Sequence, residues 1–547
     1  MPHPAHPDTT LDGLLRRAAA RTPDAPALTS GTTTVTFAAL DALTDRVARF
    51  LHHPAPTGTA APVGVANTLD TVFPAAYYGA ARAGRPVVLL NPLAGDDTLL
   101  HMCAAAHIAT ALVPGAVAQR LVALRPRLPL LRTIVVTDAG TGPLPPATLA
   151  LDDALRSAPP AAPVAAAADP AAPACVQFTT GTTGPAKGVR LTHRNLLANA
   201  EQTALAHRLD ADAITLNHLP LFHPMHLNSA LWAGARQILC PDPDPLAALD
   251  TAAAHGASHY YSLPARLHRL AADARLTPRR MPRLRAVMSG GSALAPQAAR
   301  RLRTALGVPV LQGYGLAELS PLSHMQHPDD PVEHGAVGRA VARTECRIVD
   351  LATRRGVEVW TSGEIQVRGP QVMAGYLDPH AAPAVDAEGW LSTGDAGWLD
   401  DEGRLHVVDR LDDVFKHDNE LVAPSRIEHV LAADPRVAEC AAAGSPHPVH
   451  GHLTWAAVVL HTGTGDGTPA PRAVLASIAA RANRRLAGFE QIRRIDVLDA
   501  LPRTPTGKPD RRTLRALARA AADRPSPPKG HPAMAATAPA TPGTGRP

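Results

Sequence analysis

Short apolar runs set between helix-length patterned stretches limit the folds open to this chain. Pro62–Val65 and Pro86–Leu90 read as buried strands, with helical patterns between them. From Leu11 to Leu51 the pattern is helical, with a strand-like interruption near Thr33–Phe37. Strand-like segments recur at Ala286–Ser289, Val308–Leu311, Glu364–Arg368 and Leu405–Asp409. Such alternation predicts an α/β architecture. Length adds a second constraint. At 547 residues the chain exceeds a single core of about 250–300 residues, and after Asp412 it changes to a smaller strand–helix unit ending near Arg515. The Pro/Ala-rich stretch Pro159–Pro173 reads as a surface linker, and residues 1–9 and 521–547 as disordered ends.

Composition removes several function classes. A hydrophobic share of 46% against 18% charged residues excludes wholesale disorder. A net charge of +5 over this length is too small to mark a nucleic-acid binder. The five cysteines lie far apart, with no CxxC and no close Cys/His pair, so neither a disulfide framework nor a structural zinc pattern is expected. The start MPHPAHPDTT lacks a basic segment followed by an apolar run, and no stretch reaches about 18 consecutive apolar residues. A cytoplasmic protein without membrane association is the expectation, as a monomer or homodimer.

Phe178-Thr-Thr-Gly-Thr-Thr-Gly-Pro-Ala-Lys-Gly-Val189 is the strongest chemical signal. Its hydroxyls and glycine backbones can point successive donors at one anion, and Lys187 adds a point charge for phosphate. It is not a Walker A loop, since no GK[ST] follows at the required spacing. In Leu311-Gln-Gly-Tyr-Gly-Leu-Ala-Glu318 an aromatic ring between two glycines suits a flat heterocycle, and Glu318 offers a hard carboxylate for Mg²⁺. Ser289-Gly-Gly-Ser292 suits close backbone approach to a ligand. Asp395, in Ser392-Thr-Gly-Asp395, is the residue type that grips vicinal hydroxyls, with Arg410 fifteen residues on. Lys508 sits in the Pro-bounded loop Pro502-Arg-Thr-Pro-Thr-Gly-Lys-Pro509. Apart from the first, each taken alone is an ordinary turn or surface charge.

Taken together and in this order, the motifs resemble the adenylate-forming superfamily: acyl-CoA synthetases, peptide-synthetase adenylation domains and firefly luciferase. The likeness runs from about Leu11 to Arg515 and includes Asn91-Pro92, Leu219-Pro-Leu-Phe-His223, Gly335-Ala-Val-Gly338 and Gly369-Pro-Gln-Val-Met-Ala-Gly-Tyr376. It implies a large N-terminal domain of stacked mixed sheets flanked by helices (10–410), a hinge at 411–412 turning on Asp412, and a small mobile α+β domain (413–520). By the same resemblance Thr179, Thr180, Gly181, Thr182, Thr183, Gly184 and Lys187 would cradle the phosphates of ATP. Gly291, Ser292, Gln312, Gly313 and Gly315 would line the nucleotide, Tyr314 would stack on adenine, and Asp395 and Arg410 would bind ribose. Glu318 with Thr179 would hold Mg²⁺, His223 would act as a gate, and Lys508 would bridge substrate carboxylate and nucleotide.

The implied chemistry has two steps: an acid attacks ATP to give an acyl-adenylate and pyrophosphate, and a thiol of CoA or carrier-protein phosphopantetheine then displaces AMP. Alternatives within the family replace the thiol with another acceptor, as in a nitrite-activating diazotase or an amide ligase; a non-catalytic nucleotide-binding scaffold is a different class. The sequence departs from the family pattern at Ala317, where Thr is usual, at Ala186, where Pro is usual, and at Asn419, where Gly is usual in the loop lining the pantetheine entry. His447 and His452 stand where acidic residues are common. His226 and Asn228 are expected to make the wall beside His223 polar, and His223 with His226 lacks a third metal ligand at suitable spacing.

Overall fold

The structure is a computed structural model describing residues 10–52, 61–138, 143–158, 169–179, 186–329, 335–418, 420–461, 472–504 and 509–522. The short apolar runs form two large sheets. One has seven strands in the order Leu149–Ala150, Thr133–Val136, Thr110–Val113, Val63–Ala66, Val87–Leu90, Pro173–Phe178 and Gly188–Thr192. All its neighbours are parallel except the last pair. The other has nine strands with a parallel middle: Pro26–Ser30, Arg236–Leu239, Ile214–His218, His259–Ser262, Ala286–Ser289 and Val310–Gly315. Thr33–Thr36 closes one edge antiparallel, and Leu322–Met325 with Arg339–Ala340 closes the other. One continuous core draws on both sheets and on the helices Phe37–Leu51 and Val72–Arg82. This is the mixed α/β class the alternation predicts.

A four-stranded antiparallel sheet, Glu345–Val349, Gly363–Arg368, Leu391–Leu399 and Leu405–Arg410, follows the second sheet. Beyond residue 410 the small unit packs its own core around the long hairpin Val437–His447 and Gly451–Leu460.

The helix Arg511–Ala522 runs past both the expected end near Arg515 and the boundary at 520. Its Ala/Arg-rich sequence looks like a tail. Yet Leu514, Ala518 and Ala521 fall on one face and are buried with Ala441, Ala443 and Trp455. Two further expectations are corrected. The Leu11–Leu51 segment carries a second strand, Pro26–Ser30, and the linker ends early, since Pro173 already lies in a strand. The expected disordered ends at 1–9 and beyond 522, and the linker from 159 to 168, lie outside the described residues.

Among the described residues no helix is long and apolar enough to cross a membrane. All five cysteines are free thiols, three of them buried. Burial pushes Cys103, Cys346 and Cys440 up to about 12 and raises Cys175 and Cys240 as well.

Candidate active site

The strand Pro173–Phe178 leads into the Thr/Gly-rich run, and Gly188–Thr192 leads out of it. The neck is tied twice: the Thr179 N–H donates to the Lys187 carbonyl at 2.9 Å, and the Lys187 N–H donates to Thr179 Oγ1 at 3.2 Å. Thr180, Gly181, Thr182, Thr183 and Gly184 lie outside the described residues, as do Asn419 and Lys508. At the neck, Lys187 Nζ stands 5.0 Å from the centre of the Tyr376 ring. The Tyr376 hydroxyl donates to Glu318 Oε1 at 3.0 Å. Lys187 and Glu318, 131 positions apart in sequence, are thus joined through one aromatic side chain.

Local sequence explains how Tyr376 arrives there. Thr192 and Asn195 form a reciprocal capping box at the start of the helix His193–Ala206. The Asn195 amide is left to donate to the carbonyls of Pro370 and Val372, both at 2.8 Å. The segment then runs beside the strand leaving the loop, with Ala374 N–H on the Arg190 carbonyl at 3.0 Å and Leu377 N–H on the Gly188 carbonyl at 2.6 Å. The Met373 N–H donates to the Glu318 carbonyl at 2.9 Å. Burial, then the neighbouring Glu318 carboxylate, raises the Tyr376 phenol, so it stays protonated and donates.

A second cluster centres on Asp395. Arg410 Nε meets Asp395 Oδ1 at 2.8 Å, and the Tyr314 hydroxyl donates to Oδ2 at 2.6 Å. Arg410 and Asp395 face each other directly across the hairpin Leu391–Leu399/Leu405–Arg410. Gly394 adopts φ +70° beside the register shift that turns Asp395 toward Tyr314. Thr393 Oγ1 accepts the Asp395 N–H at 3.1 Å and donates to the Ile365 carbonyl at 2.7 Å, fixing that bulge. Burial, reinforced by Asp395, raises Tyr314 well above the ordinary phenol range. A carboxylate offers about four lone-pair sites, and Asp395 turns two of them to Arg410 and Tyr314.

Tyr314 lies on a strand rather than in the glycine-rich turn its neighbours suggest, because Val310–Gly315 continues through both glycines. Their reason is proximity: a Cβ on Gly315 would sit 1.9 Å from the carbonyl oxygen of Pro321, just before the returning strand Leu322–Met325. The Cβ positions at Gly313 would meet Leu322 and Met325 at 3.0 Å. Gln312 acts on its neighbours, its Oε1 accepting the Leu294 N–H at 2.8 Å and so tying down the loop that carries Gly291 and Ser292. Gly291 takes φ +93°, and it and Ser292 are exposed. The nearby Ser289 hydroxyl is buried without a partner.

His223 caps the helix Pro224–Ala233, accepting the Met225 N–H on Nδ1 at 3.2 Å, and its Nε2 meets the Gln177 side-chain amide at 3.3 Å. Gln177 sits two positions before Thr179, so His223 borders the same opening. The His226 ring lies 4.3 Å from that of Tyr261, and its Nδ1 is buried without a partner. Burial, then His223, pushes His226 well below the ordinary imidazole value and keeps it neutral. Asn228 corrects the polar-wall expectation: it is consumed in the core, accepting the Tyr78 hydroxyl at 2.7 Å with Tyr77 beside it at 3.5 Å.

Asp412 is exposed on the segment between the domains, and its carbonyl accepts Arg515 at 3.2 Å. The loop that contains Lys508 is closed at its base by pairing of Arg503 with Pro509 and by the Asp510 N–H on the Pro502 carbonyl at 2.8 Å. Sequence reasoning missed Gln177, Asn195 and Tyr376 as site-building residues. The available signal for Tyr376 was an aromatic directly after a glycine, Gly375, which takes φ +117° in the structure.

A cation and a hard carboxylate at the neck of a Thr/Gly-rich loop, with an Asp–Arg–Tyr cluster nearby, define a nucleotide-handling α/β protein. The family of AMP-binding enzymes matches residues 15–377, and the AMP-binding enzyme C-terminal domain matches residues 426–508. The chain belongs to this adenylate-forming family. It is 32% identical over 391 residues to 4-coumarate–CoA ligase-like 6 of Oryza sativa subsp. japonica, covering 66% of this chain and 64% of that protein. With 4-coumarate–CoA ligase 2 of the same organism it shares 29% identity over 523 residues, 91% of this chain and 90% of that one. The fold superposes on ATP-bound MatB from Rhodopseudomonas palustris with a TM-score of 0.84 at 25% identity, covering 94% and 100% of the two chains. It superposes on the amide bond synthetase McbA from Marinactinospora thermotolerans with a TM-score of 0.80 at 26% identity, covering 93% and 99%.

Proposed function

We propose that this protein is an ATP-dependent, AMP-forming acid–thiol ligase. The observation that carries the reading is the line from Lys187 through Tyr376 to Glu318, which sets a cation and a hard carboxylate around one loop mouth. In the first step a carboxylate oxygen attacks the α-phosphorus of ATP, the bond to the β-phosphate breaks, and pyrophosphate leaves. Two anions meet, so fixed positive charge at the meeting point lowers the barrier. Lys187 with the Thr179–Gly184 loop would hold the phosphates, and Lys508 would neutralise the reacting carboxylate and α-phosphate. Glu318 has the oxygen chemistry Mg²⁺ requires, with Thr179 as a further oxygen, and the Tyr376 bond takes only one of its lone-pair sites. Bound there, Mg²⁺ would screen the phosphate charge. Asp395, oriented by Arg410 and Tyr314, would accept ribose hydroxyls, while the Tyr314 ring meets adenine.

In the second step a thiolate attacks the acyl carbonyl and AMP leaves; CoA is the acceptor of this reading. The acid would be compact and aromatic with a polar substituent, since His226 keeps a neutral, unpartnered ring nitrogen beside Tyr261 and the His223 opening. The CoA-ligase names of its sequence relatives support the acceptor. Pyrophosphate exchange into ATP, run over acids from short polar through aromatic to long aliphatic, tests the first step. Aromatic acids should support the fastest exchange. Best exchange with long aliphatic acids would overturn the substrate reading, and exchange with none would leave a nucleotide-binding scaffold. AMP release with CoA, a phosphopantetheinylated carrier or an amine then identifies the acceptor.

A further inference from the structure

Outside this site, two turns of the small domain bring three donor side chains together. His417 ends the strand Phe415–His417, Asp418 follows it, and His450 lies in the turn between Val437–His447 and Gly451–Leu460. One ligating atom from each lies within 4.8 Å of the others. His450 Nδ1 stands 2.7 Å from Asp418 Oδ1, and His417 Nε2 stands 3.5 Å from Asp418 Oδ2. The His417 and His450 rings are nearly parallel, 9° apart with centres separated by 5.2 Å.

The surrounding bonds fix these groups. His417 Nδ1 donates to the His452 carbonyl at 2.8 Å, which leaves Nε2 as the ring nitrogen that faces the cluster. Backbone-bound imidazole of this kind is how protein ligands to metals are held in one tautomer. His417 pairs with Gly451 across the sheet, and the Asp418 N–H donates to the His450 carbonyl at 3.2 Å, so the two turns are locked together. His447 stacks on the His450 ring at 4.9 Å. The other ring nitrogen of His417, Nε2, faces Asp418 Oδ2 at 3.5 Å, a placement in which one positive centre could be bound by both.

We propose that His417 Nε2, the Asp418 carboxylate and His450 Nδ1 form a binding site for one divalent cation of the zinc class. Two imidazoles and one carboxylate suit Zn²⁺, Co²⁺ or Ni²⁺, with the remaining positions open to water. Mg²⁺ demands oxygen ligands in an octahedron, so this is not the site of the nucleotide's ion. The metal replaces the proton shared by His450 and Asp418, and modest separation of that 2.7 Å pair makes room for bonds of about 2.0–2.1 Å. It would join the turn after residue 417 to the long hairpin.

The experiment uses untagged, chelator-treated full-length protein titrated with Co²⁺ and followed by its visible d–d absorption. One equivalent should bind, be displaced by Zn²⁺, and be unaffected by excess Mg²⁺. His450→Ala should abolish the signal. Asp418→Asn should weaken it strongly while keeping the turn, because Asn tolerates the φ of +47° found there. Unchanged melting of both variants in chelator separates lost binding from lost fold. Absence of binding by the unaltered protein overturns the proposal and leaves a proton in the site; full stoichiometry in both variants overturns it too, by placing the ion elsewhere.

Discussion

Tyr376 makes two contacts that the proposed first step would use together, one through its ring to Lys187 and one through its hydroxyl to Glu318. Phenylalanine keeps the first and deletes the second. A hydrogen bond to a charged group contributes about 1.5–3 kcal/mol, so Tyr376→Phe should slow pyrophosphate exchange by roughly tenfold or more. The loss should deepen at limiting Mg²⁺, and a magnesium titration of the variant checks both. Lys508→Ala should cost about 10²–10³-fold in the same assay, the scale for one preorganised charge donor; unaltered exchange would remove Lys508 from the first step. Candidates for this site could be named from the sequence where one residue type carries its own chemistry, as at Glu318, Asp395 and Arg410, and the structure brings Asp395 and Arg410 together. Tyr376 was not among them, because its role arises from Asn195, a helix-capping residue 181 positions away, which anchors the segment leading to it.

The hairpin that carries Asp395 and Arg410 is secured at its far end by Asp400. That carboxylate accepts the Arg404 N–H at 2.8 Å and Arg404 Nε at 2.7 Å, while His406 approaches at 3.3 Å and stacks on Trp398. Burial opposes its ionisation, yet the bonds from Arg404 prevail and hold Asp400 down to about 2 from the ordinary 3.8. A depressed carboxylate stabilises the fold above its unfolded pKa and loses that contribution as pH falls through the folded one. Asp400→Asn should therefore be least stable relative to the native chain near neutrality. The gap should narrow as pH drops below 3.8 toward 2, which denaturant unfolding at several pH values would show. Glycine spacing misled at this scale. In Gln312–Gly315 it suggested, taken alone, an ordinary turn, whereas the return toward Leu322–Met325 leaves no room for a side chain at Gly315. Gly315→Ala should cost about 1–3 kcal/mol by overpacking, read as a lowered unfolding midpoint.

At the scale of the whole molecule, the segment that joins the large and small units is tied to the last helix. Arg515 Nη1 bonds Asp413 at 2.5 Å and the Asp412 carbonyl at 3.2 Å. Losing even about 1.4 kcal/mol there raises the open population about tenfold. Arg515→Ala should accordingly be cut by trypsin after Arg410 about tenfold faster, and ATP with the cognate acid should slow that cleavage. The two-unit plan was readable from length and the change of pattern after Asp412. The helix behind the clamp was not, because its alanines run on toward a Pro/Ala-rich tail and its apolar face is short, and it is burial against Trp455 that shows the helix to belong to the small unit. One further consequence concerns how turnover can be watched. With all five thiols of the chain raised by burial and so protonated at neutral pH, a disulfide dye such as Ellman's reagent would develop little colour from the enzyme itself, and with CoA as the proposed acceptor, the fading signal during turnover would count its acylation.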